Sequence, residues 1–402
     1  MAGYFQSENK ADCTGCGACV QRCPVRAISF KEDGEGFKYP VIDRSLCVEC
    51  GECRAVCPID KEGVVFHRGM DGIAVAGFAK DTEVRADSSS GGFFTGIAKA
   101  FAGECGLVFG AASDDGLLIY HIGIQKIDDL GRIRKSKYGH SDTRNTFSEV
   151  RDALQEGKKV VYSGTPCQIA GLYSFLGGLG RSERLLTVDL VCHGYFSAKF
   201  LRKEREYLEK KRGCHAICFE YRNKDGGHWK GFSGVWRFED GTSLATSQDK
   251  LPYHLIWMKH LISRPSCHAC RFAIADRVAD ITLADFWHVK EDSPLYDGNR
   301  GTSLVFGNTA KGRAVLDELS ATYLMESVDR SWICQRKIAL HGAIKAHPLR
   351  AQALADLAGL SYRGFVNKYS GLSLRDKLHR IVRRIVGVGG KVFVKGARIG
   401  GV

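Results

Sequence analysis

Cysteine is the residue type most able to do chemistry in this sequence, because eight of its 16 cysteines repeat one spacing. One run reads CTGCGACVQRCP from Cys13, and a second reads CVECGECRAVCP from Cys47. Each run is CxxCxxCxxxCP, a spacing typical of thiolates that hold two cubane 4Fe-4S clusters. The eight predicted ligands are Cys13, Cys16, Cys19, Cys23, Cys47, Cys50, Cys53 and Cys57.

In such paired runs, the fourth cysteine of each run ligates the cluster that the other run holds. The first cluster is therefore predicted on Cys13, Cys16, Cys19 and Cys57. The second cluster is predicted on Cys47, Cys50, Cys53 and Cys23. A pair of zinc knuckles or a disulfide framework is the alternative, and it is disfavoured because zinc takes its ligands as two pairs rather than as three plus one exchanged.

Residues 1–66 resemble a bacterial two-cluster ferredoxin domain of the α+β class. Between the two runs, the sequence AISFKEDGEGFKYPVID predicts a hairpin with its turn near Gly34 and Gly36. The first residues, MAGYFQSENK, lack the apolar core of a signal peptide, and no segment approaches the roughly 20 apolar residues of a membrane span. With so many thiols, we expect a cytoplasmic protein without a transmembrane span.

The net charge of +13 is concentrated near the end of the sequence, since residues 373–402 contain eight Lys or Arg and one Asp. Apolar residues recur there at helical spacing, so that a basic amphipathic helix is predicted within a helical tail at 346–402. Binding to nucleic acid or to an anionic membrane is one interpretation of such a helix. We favour a helix docked on its own protein with a solvated basic face, and expect no nucleic-acid partner.

From about residue 70, predicted strands and helices alternate, which indicates a larger region of the α/β class. Strands are predicted at LVFGAAS, LLIYHIGIQ, KVVYSG and LLTVDLVCHG, and helices at NTFSEVRDALQEG and PCQIAGLYSFLG. The sequence GGLGRSERL suggests a boundary between residues 70–180 and residues 181–345. Asp240-Gly241 predicts a hairpin within a β-rich patch. After the strand at GTSLVFGN, only helices are predicted.

Four cysteines outside the two runs lie where predicted strands meet loops: Cys167, Cys192, Cys267 and Cys270. Such strand ends converge at one edge of an α/β sheet, so these four thiols are candidate ligands of a third cluster. The alternative is a zinc site formed by a CxxxC pair and a CxxC pair. That site would use Cys214, Cys218, Cys267 and Cys270.

The sequence SSSGGFFTG predicts a serine-capped helix beginning near Gly92, with its first N–H groups open to a phosphate. The sequence SGTPCQ offers a comparable turn after a strand. Cubane clusters pass one electron at a time, whereas most organic reductions need two, so a flavin is expected as the converter. Both segments are therefore candidate contacts for a flavin or nucleotide pyrophosphate.

Six segments, in order along the chain, are similar to the coenzyme F-420 hydrogenase/dehydrogenase beta-subunit family, which includes 7-hydroxymethyl chlorophyll a reductase. They are SSSGGFFTGIA, SKYGHSDTRNTFSEVRDAL, VVYSGTPCQIAGL, VDLVCHG, CHACRFAIADRVADITLADFW and GTSLVFGNT. The resemblance spans about residues 80–310. It implies an α/β flavin-binding region that carries FAD, with at least one iron-sulfur cluster beside it.

By the same resemblance, the preferred ligands of an extra 4Fe-4S cluster are Cys167, Cys192, Cys267 and Cys270. The resemblance also implies that the flavin pocket is lined by Ser90, Gly91, Gly92, Lys137, Tyr138, Ser163 and Thr165. Lys137 is a candidate to stabilise the reduced flavin anion, and His193 is a candidate proton donor. His228 and Trp229 are candidate substrate contacts, with closure of a hairpin as the alternative. Asp285 and Trp287 are interpreted as packing and hydrogen-bonding beside the clusters.

The resulting hypothesis is a flavin-dependent iron-sulfur oxidoreductase. Electrons would pass between the ferredoxin-type clusters and a flavin, which exchanges hydride with an organic small-molecule substrate or with a deazaflavin or nicotinamide carrier. Expected partners are a ferredoxin or a partner subunit, and bacterial members of this type suggest a role in polysaccharide synthesis. The alternative is a non-catalytic electron-transfer subunit of a larger redox complex.

Overall fold

The computed structural model describes residues 3–60, 72–225, 228–336 and 340–372. The strands are β1 Ile28–Glu32, β2 Lys38–Ile42, β3 Ile73–Ala79, β4 Leu107–Ser113, β5 Ile119–Ile124, β6 Ser141–Asp142, β7 Val160–Ser163, β8 Leu185–Leu190, β9 Ala216–Asn223, β10 Ser233–Phe238, β11 Ser243–Ser247, β12 Ile281–Asp285, β13 Ser303–Gly307 and β14 Tyr323–Ser327. The basic helix predicted at 373–402 lies outside the described residues.

The helices complete a mixed α/β architecture. They are α1 Tyr4–Ser7, α2 Ala18–Arg22, α3 Glu52–Ala55, α4 Thr82–Ala86, α5 Phe93–Ala102, α6 Thr146–Gln155, α7 Pro166–Leu176, α8 Ala198–Arg212, α9 Pro252–Trp257, α10 Ala310–Leu319, α11 Arg330–Arg336, α12 Arg350–Gly359 and α13 Tyr362–Tyr369. None of the helices in the described part of the chain is both long enough and apolar enough to cross a bilayer.

A nine-stranded mixed sheet forms the centre of the larger region, in the order β14-β3-β13-β12-β8-β7-β4-β5-β6. Strands β12, β8, β7 and β4 are parallel neighbours, while β13, β3 and β14 continue one side by antiparallel pairing. Residue 180 falls between β7 and β8, which pair directly. The sheet is therefore continuous across the boundary predicted there.

Helices cover both faces of the parallel strands. Along β7, Val160 and Tyr162 pack in the core that contains α6 and α7 residues, whereas Val161 packs in the core that contains α5 residues. Successive side chains of a strand point to opposite faces, so an all-apolar strand requires cover on both sides. This packing leaves the carboxyl ends of β7, β8 and β12 at one edge, where they can carry loops.

The structure contains the predicted strands β4, β5, β7 and β8, and the predicted helices α5, α6 and α7. The hairpin predicted at Asp240-Gly241 joins β10 to β11, and Gly241 adopts the positive φ of 79° that such a turn requires. The prediction of only helices after β13 is wrong at residues 323–327. These residues form β14 because they pair with the edge of β3, and such a distant partner leaves no local signal.

The cysteine-run region packs directly against the central domain. Its β1-β2 hairpin turns at Gly36, as predicted, and α2 and α3 each begin after a glycine of positive φ, Gly17 and Gly51. On the domain side, α7 brings Gly171 so close to Cys16 that a Cβ on Gly171 would lie 2.9 Å from the Cys16 sulfur. Glycine is therefore required for this approach.

Candidate iron-sulfur and flavin sites

One cavity lies inside the cysteine-run region. The cysteines that line it are Cys13, Cys16, Cys19, Cys53 and Cys57. The structure thus brings Cys57, from the second run, to the three leading cysteines of the first run. This is the set that the exchanged-ligand pattern predicts for one cluster, with Cys53 beside it.

The donor set of this cavity fits an iron-sulfur cluster chemically. Burial raises the pKa of the Cys13, Cys16, Cys19 and Cys57 thiols, so a dry pocket alone disfavours their thiolates. Bound iron would supply the positive charge that stabilises thiolates at these positions. Gly15 and Gly17 both have positive φ, which curls the chain so that closely spaced cysteines point into one cavity.

The remaining predicted ligands of the first two clusters lie nearer the surface. Cys50 is exposed, while Cys23 and Cys47 are half-buried, and the Cys23 sulfur accepts a hydrogen bond from the Ala27 N–H at 3.2 Å. Two apolar neighbours, Leu46 and Val48, are also exposed. The second cluster site therefore faces solvent, whereas the first faces the central domain.

A second cavity lies at the carboxyl edge of the central sheet. Four cysteines line it: Cys167, Cys192, Cys267 and Cys270. Cys167 follows β7 at the start of α7, and Cys192 follows β8. Cys267 lies in a 3-10 helix at Pro265–Ala269, and Cys270 is the residue after that helix. All four thiols predicted to hold a third cluster are thus brought together.

Contacts in this cavity support charged sulfur ligands. Burial first, and neighbouring cysteines after it, raise the pKa of Cys167 to about 11 and that of Cys267 to about 12. The Thr165 hydroxyl lies 3.1 Å from the Cys167 sulfur, and the Gly194 N–H donates to the Cys192 sulfur at 3.3 Å. Donors of this kind stabilise thiolate ligands of a cluster. Four free thiols with such donors fit a 4Fe-4S cluster.

The alternative zinc site is not assembled. Cys218 lies on β9 opposite Arg237, and neither it nor Cys214 lines the cavity that holds Cys267 and Cys270. Across the described ranges, no group of three or more His, Cys, Asp or Glu side chains is arranged to hold a single metal ion. The CxxC pair therefore belongs with the cysteines at the strand ends.

Thr14 connects the two cavities, because it lines both of them. Its carbonyl oxygen accepts a hydrogen bond from the Tyr195 hydroxyl at 3.3 Å, and Tyr195 lines the second cavity. One residue of the first cysteine loop is therefore shared between the two sites.

The serine-glycine segment predicted to contact flavin lies at the same edge of the sheet. The Gly91 N–H donates to the Ser303 hydroxyl at 2.9 Å, and a Cβ on Gly91 would lie 2.4 Å from the Gly77 carbonyl oxygen. The neighbouring Gly92 has a φ of 89° and precedes α5. These glycines let the loop lie against the sheet, and they place the serine residues before the N-terminus of α5.

Two half-buried lysines lie beside this loop. The Lys137 ammonium donates to the Arg134 carbonyl at 2.6 Å, and the Lys224 ammonium donates to three carbonyls, including that of Ser90 at 3.3 Å. Burial first, and neighbouring cations second, lower the pKa of each lysine to about 8. Among the described residues, no carboxylate oxygen lies within 4.0 Å of either ammonium. Half-buried cations without a carboxylate partner favour an anionic ligand.

An ion pair and several aromatic side chains also pack at this edge of the sheet. Arg222 pairs with Asp285 at 2.7 Å, and the Trp229 indole N–H donates to the same carboxylate at 2.9 Å. Trp229 is fully buried and stacks on Trp287 at 4.6 Å between ring centroids, so it holds the partly exposed Trp287 rather than facing solvent itself. Tyr138 lies 4.8 Å from the Trp257 ring.

The other residues predicted to contact flavin or to act in catalysis make different contacts. Thr165 lines the four-cysteine cavity, and the Ser163 carbonyl contacts the His121 ring at 3.0 Å. His193 follows Cys192 and is half-buried. Lys224 was not among the predicted residues, because its contacts come from segments far along the chain and its own sequence neighbours give no signal.

Family models match both parts of this architecture. Residues 157–330 match the C terminus of the coenzyme F420 hydrogenase/dehydrogenase beta subunit, and residues 12–61 match the 4Fe-4S dicluster domain. The chain joins a domain of the F420 hydrogenase/dehydrogenase beta-subunit family to a 4Fe-4S dicluster domain. The four-cysteine cavity and Lys224 fall in the beta-subunit match, and the eight cysteines of the two runs fall in the dicluster match.

Curated relatives agree with both assignments. An uncharacterized protein of Methanocaldococcus jannaschii is 29% identical over 48% of this chain and 63% of its own length. One of the subunits of the F(420)H(2) dehydrogenase of Methanosarcina mazei is 26% identical over 39% of this chain and 46% of its own length. Ferredoxin Fdx2 of Sorangium cellulosum is 46% identical over 15% of this chain and 56% of its own length.

The chain thus spans between about half and two thirds of the length of these relatives. The dicluster match and the ferredoxin relative support 4Fe-4S clusters in this chain. Together with the beta-subunit match, they make it an iron-sulfur protein related to electron-transfer oxidoreductases.

Proposed function

We propose that this protein is a flavin-dependent iron-sulfur oxidoreductase with three 4Fe-4S clusters. The observation that carries the proposal is the four-cysteine cavity at the sheet edge, which shares Thr14 with the cavity of the first cysteine run. Bound clusters would supply one-electron transfer, and a bound FAD would couple it to hydride exchange with an organic molecule. The ligands of the third cluster are then Cys167, Cys192, Cys267 and Cys270.

Residues of this chain supply the features that an anionic flavin cofactor needs. The Lys137 and Lys224 ammonium groups lie more than 4.0 Å from any carboxylate oxygen of the described residues, and the loop at Ser90 and Gly91 leads into α5, a helix of ten residues. Helix N-termini and cations both favour phosphate groups. We assign the pyrophosphate of FAD to this loop and the two lysines. His193, beside Cys192, is the proposed proton donor.

The position of the second cluster site supports a redox partner protein. Cys50 and its apolar neighbours Leu46 and Val48 are exposed, while the first cluster site faces the central domain. Electrons from a ferredoxin or a partner subunit would therefore enter at the second site and leave toward the sheet edge. The relative from Methanosarcina mazei is itself named as part of a dehydrogenase with several subunits, which supports a partner subunit here.

The exposed position of the second cluster site also favours a second candidate function. In that case the protein is a relay subunit that holds clusters but has no substrate of its own. The two functions differ at the lysine-lined edge, since a relay needs no flavin there. Turnover of deazaflavin or nicotinamide by the isolated chain would support the enzyme. Flavin uptake with turnover only in the presence of a partner subunit would support the relay.

The experiment is anaerobic purification followed by measurement of iron, sulfide and released flavin per chain. Three clusters and one flavin correspond to about twelve irons and one FAD. The double variant Cys167→Ala with Cys267→Ala is expected to fall to about eight irons, whereas Cys105→Ala, an exposed free cysteine outside both cavities, keeps about twelve.

For the flavin, Lys137→Gln with Lys224→Gln is expected to lower the flavin content without changing the iron content. Lys158→Gln is the matched control, because Lys158 is exposed and already paired with Glu156 at 2.7 Å. About eight irons and no flavin in the unaltered chain would contradict the proposal and leave only the dicluster domain as a redox centre.

A further inference from the structure

Arg264 is a fully buried arginine without a carboxylate partner. Its exposed fraction is 0%, and no carboxylate oxygen of the described residues lies within 4.0 Å of its guanidinium. Burying an unpaired charge costs several kcal/mol unless another group compensates it. The charge of this buried guanidinium is therefore not compensated by a carboxylate of the described residues.

Hydrogen bonds hold the Arg264 side chain against the first cysteine run. Its Nε donates to the Cys13 carbonyl at 2.9 Å, and its Nη1 donates to the Lys38 carbonyl at 3.0 Å. The guanidinium also lies over the Tyr39 ring, 4.1 Å from the ring centroid. The third nitrogen, Nη2, is buried without a hydrogen-bond partner among the described residues. These contacts fix the position of the guanidinium, while the N–H groups of Nη2 have no acceptor among the described residues.

The main chain of the same residue belongs to the second cavity. The Cys267 N–H donates to the Arg264 carbonyl at 3.0 Å, and the Arg264 N–H donates to the Tyr195 carbonyl at 3.1 Å. Arg264 is the residue immediately before the 3-10 helix that carries Cys267. One residue therefore contacts a ligand loop of the first cluster through its side chain and a ligand loop of the third through its backbone.

The Arg264 guanidinium also lies near the second cavity. Its central carbon is 5.7 Å from the centroid of the Tyr195 ring, and Tyr195 lines that cavity. Arg277 offers a contrast, since it also lines the second cavity but is neutralised by Asp189 at 3.0 Å. Of these two buried arginines, Arg264 is therefore the one whose charge is not neutralised by a carboxylate and can act on the cysteine sites.

We propose that Arg264 is a positioning residue shared by two iron-sulfur sites, and that its unpaired charge raises the reduction potential of both clusters. The part that concerns the second cavity rests on the proposed third cluster. On reduction, each cluster gains one electron from the external reductant and one unit of negative charge, with no bond formed or broken. A fixed positive charge stabilises that reduced form more than the oxidised form, because net charge around a cluster sets its potential.

The test is an anaerobic redox titration with a low-potential chemical reductant, followed by visible absorbance and electron paramagnetic resonance. The variants are Arg264→Gln and Arg264→Met, which remove the charge, and Arg264→Lys, which keeps it. Arg202→Gln is the matched control, because Arg202 also contacts the cysteine-run region, through Glu32, but is exposed and paired. Iron and sulfide are counted in every sample.

We expect the neutral variants to lower the reduction equilibrium constant of two couples at least tenfold, which is about 59 mV for a one-electron couple. The third couple, that of the exposed second site, is expected to stay unchanged. Arg264→Lys and Arg202→Gln should titrate as the unaltered protein does. If neither neutral variant loads the two sites while Arg264→Lys does, the charge itself is required, which also supports the proposal.

Unchanged potentials in a fully loaded neutral variant would overturn the proposal, and so would an Arg264→Lys variant that behaves as the neutral ones. Failure of the proposed function gives a different result. In that case the unaltered chain holds about eight irons, the Cys167→Ala with Cys267→Ala variant removes no couple, and Arg264→Gln shifts only the couple of the first site.

Discussion

The Thr165 hydroxyl oxygen lies 3.1 Å from the Cys167 sulfur, at the point where β7 ends and α7 begins. Thr165 also caps α7 in a reciprocal arrangement with Gln168, and Pro166 occupies the first position of the helix. In this arrangement the Thr165 hydroxyl donates to the Gln168 side-chain oxygen at 3.1 Å, and the same turn presents this hydroxyl and a candidate ligand thiol to the four-cysteine cavity. The residues that begin helix α7 are therefore also the residues that provide and contact the candidate cluster ligand Cys167.

Replacement of Thr165 separates these two roles. Thr165→Val removes the hydroxyl, and we expect the potential of the proposed third cluster to fall, because a hydrogen bond to a ligand sulfur stabilises the reduced form. Loss of the helix cap should also lower the free energy of unfolding by about 1 kcal/mol. Thr165→Ser keeps the hydroxyl and should keep the potential. Redox titration and thermal unfolding measure the two effects, and equal potentials in both variants would contradict this role.

The close approach of α7 to Cys16 gives a second prediction. A Cβ on Gly171 would lie 2.9 Å from both the Cβ and the sulfur of Cys16, so Gly171→Ala should displace the first cysteine loop. We expect a loss of iron from the first site, measured as iron and sulfide per chain. Gly359→Ala in α12 is the control, since a Cβ there meets no atom within 4 Å and alanine favours a helix. Full iron loading of Gly171→Ala would contradict the prediction.

The cysteine sites were accessible from the sequence because their signal is local. The CxxCxxCxxxCP spacing predicts the first eight ligands, and the rule that parallel strands end at one edge predicts that Cys167 and Cys192 meet the CxxC pair. The structure brings the latter four together in one cavity. Here chemistry and chain geometry leave few alternatives.

Arg264 and Lys224 could not be found in this way. The Arg264 side chain donates to a carbonyl 251 residues away, and Lys224 donates to one 134 residues away. Neither residue belongs to a motif, and both would be interpreted as surface cations from sequence alone. Strand β14 escaped prediction for the same reason, since its form depends on the distant β3. Contacts between distant segments, rather than spacing, determine these features.

The two half-buried lysines, Lys137 and Lys224, predict how anion affinity depends on pH. Burial lowers the pKa of Lys137 and Lys224 to about 8, so both lose their charge as the pH rises through 8. Affinity for FAD should therefore fall above pH 8, with a slope that Lys137→Gln and Lys224→Gln each reduce. Equilibrium titration of the flavin-free protein between pH 6.5 and about 9.5 measures this. An affinity independent of pH would place the flavin pyrophosphate elsewhere.

The same two lysines give the free energy of unfolding a pH dependence opposite to that of FAD affinity. An unfolded chain keeps a lysine protonated up to its ordinary pKa of 10.5, whereas the folded chain releases the proton near pH 8. The unfolded state binds more protons between these values, so this contribution to the free energy of unfolding rises with pH across the window. Lys137→Gln should flatten the rise in the flavin-free protein, as measured by denaturant unfolding.

Glu204 on α8 provides a prediction away from the redox sites. Its carboxylate accepts a hydrogen bond from the Tyr362 hydroxyl of α13 at 2.5 Å, and burial raises its pKa to about 7. Between its ordinary pKa of 4.5 and about 7, the folded state holds a proton that the unfolded state has lost. Stability from this group is therefore complete below pH 4.5 and is lost as the pH rises through 7.

Glu204→Gln removes this loss while its amide oxygen still accepts from Tyr362. We expect the variant to be more stable than the unaltered protein at pH 8, by on the order of 3 kcal/mol, and nearly equal to it at about pH 4.5. Tyr362→Phe is the matched change on α13 and should be destabilising at both pH values, because it leaves the Glu204 carboxyl without its donor. Denaturant unfolding at the two pH values provides the measurement. Parallel pH profiles for the Glu204→Gln variant and the unaltered protein would show that Glu204 does not titrate near neutral pH in the folded state.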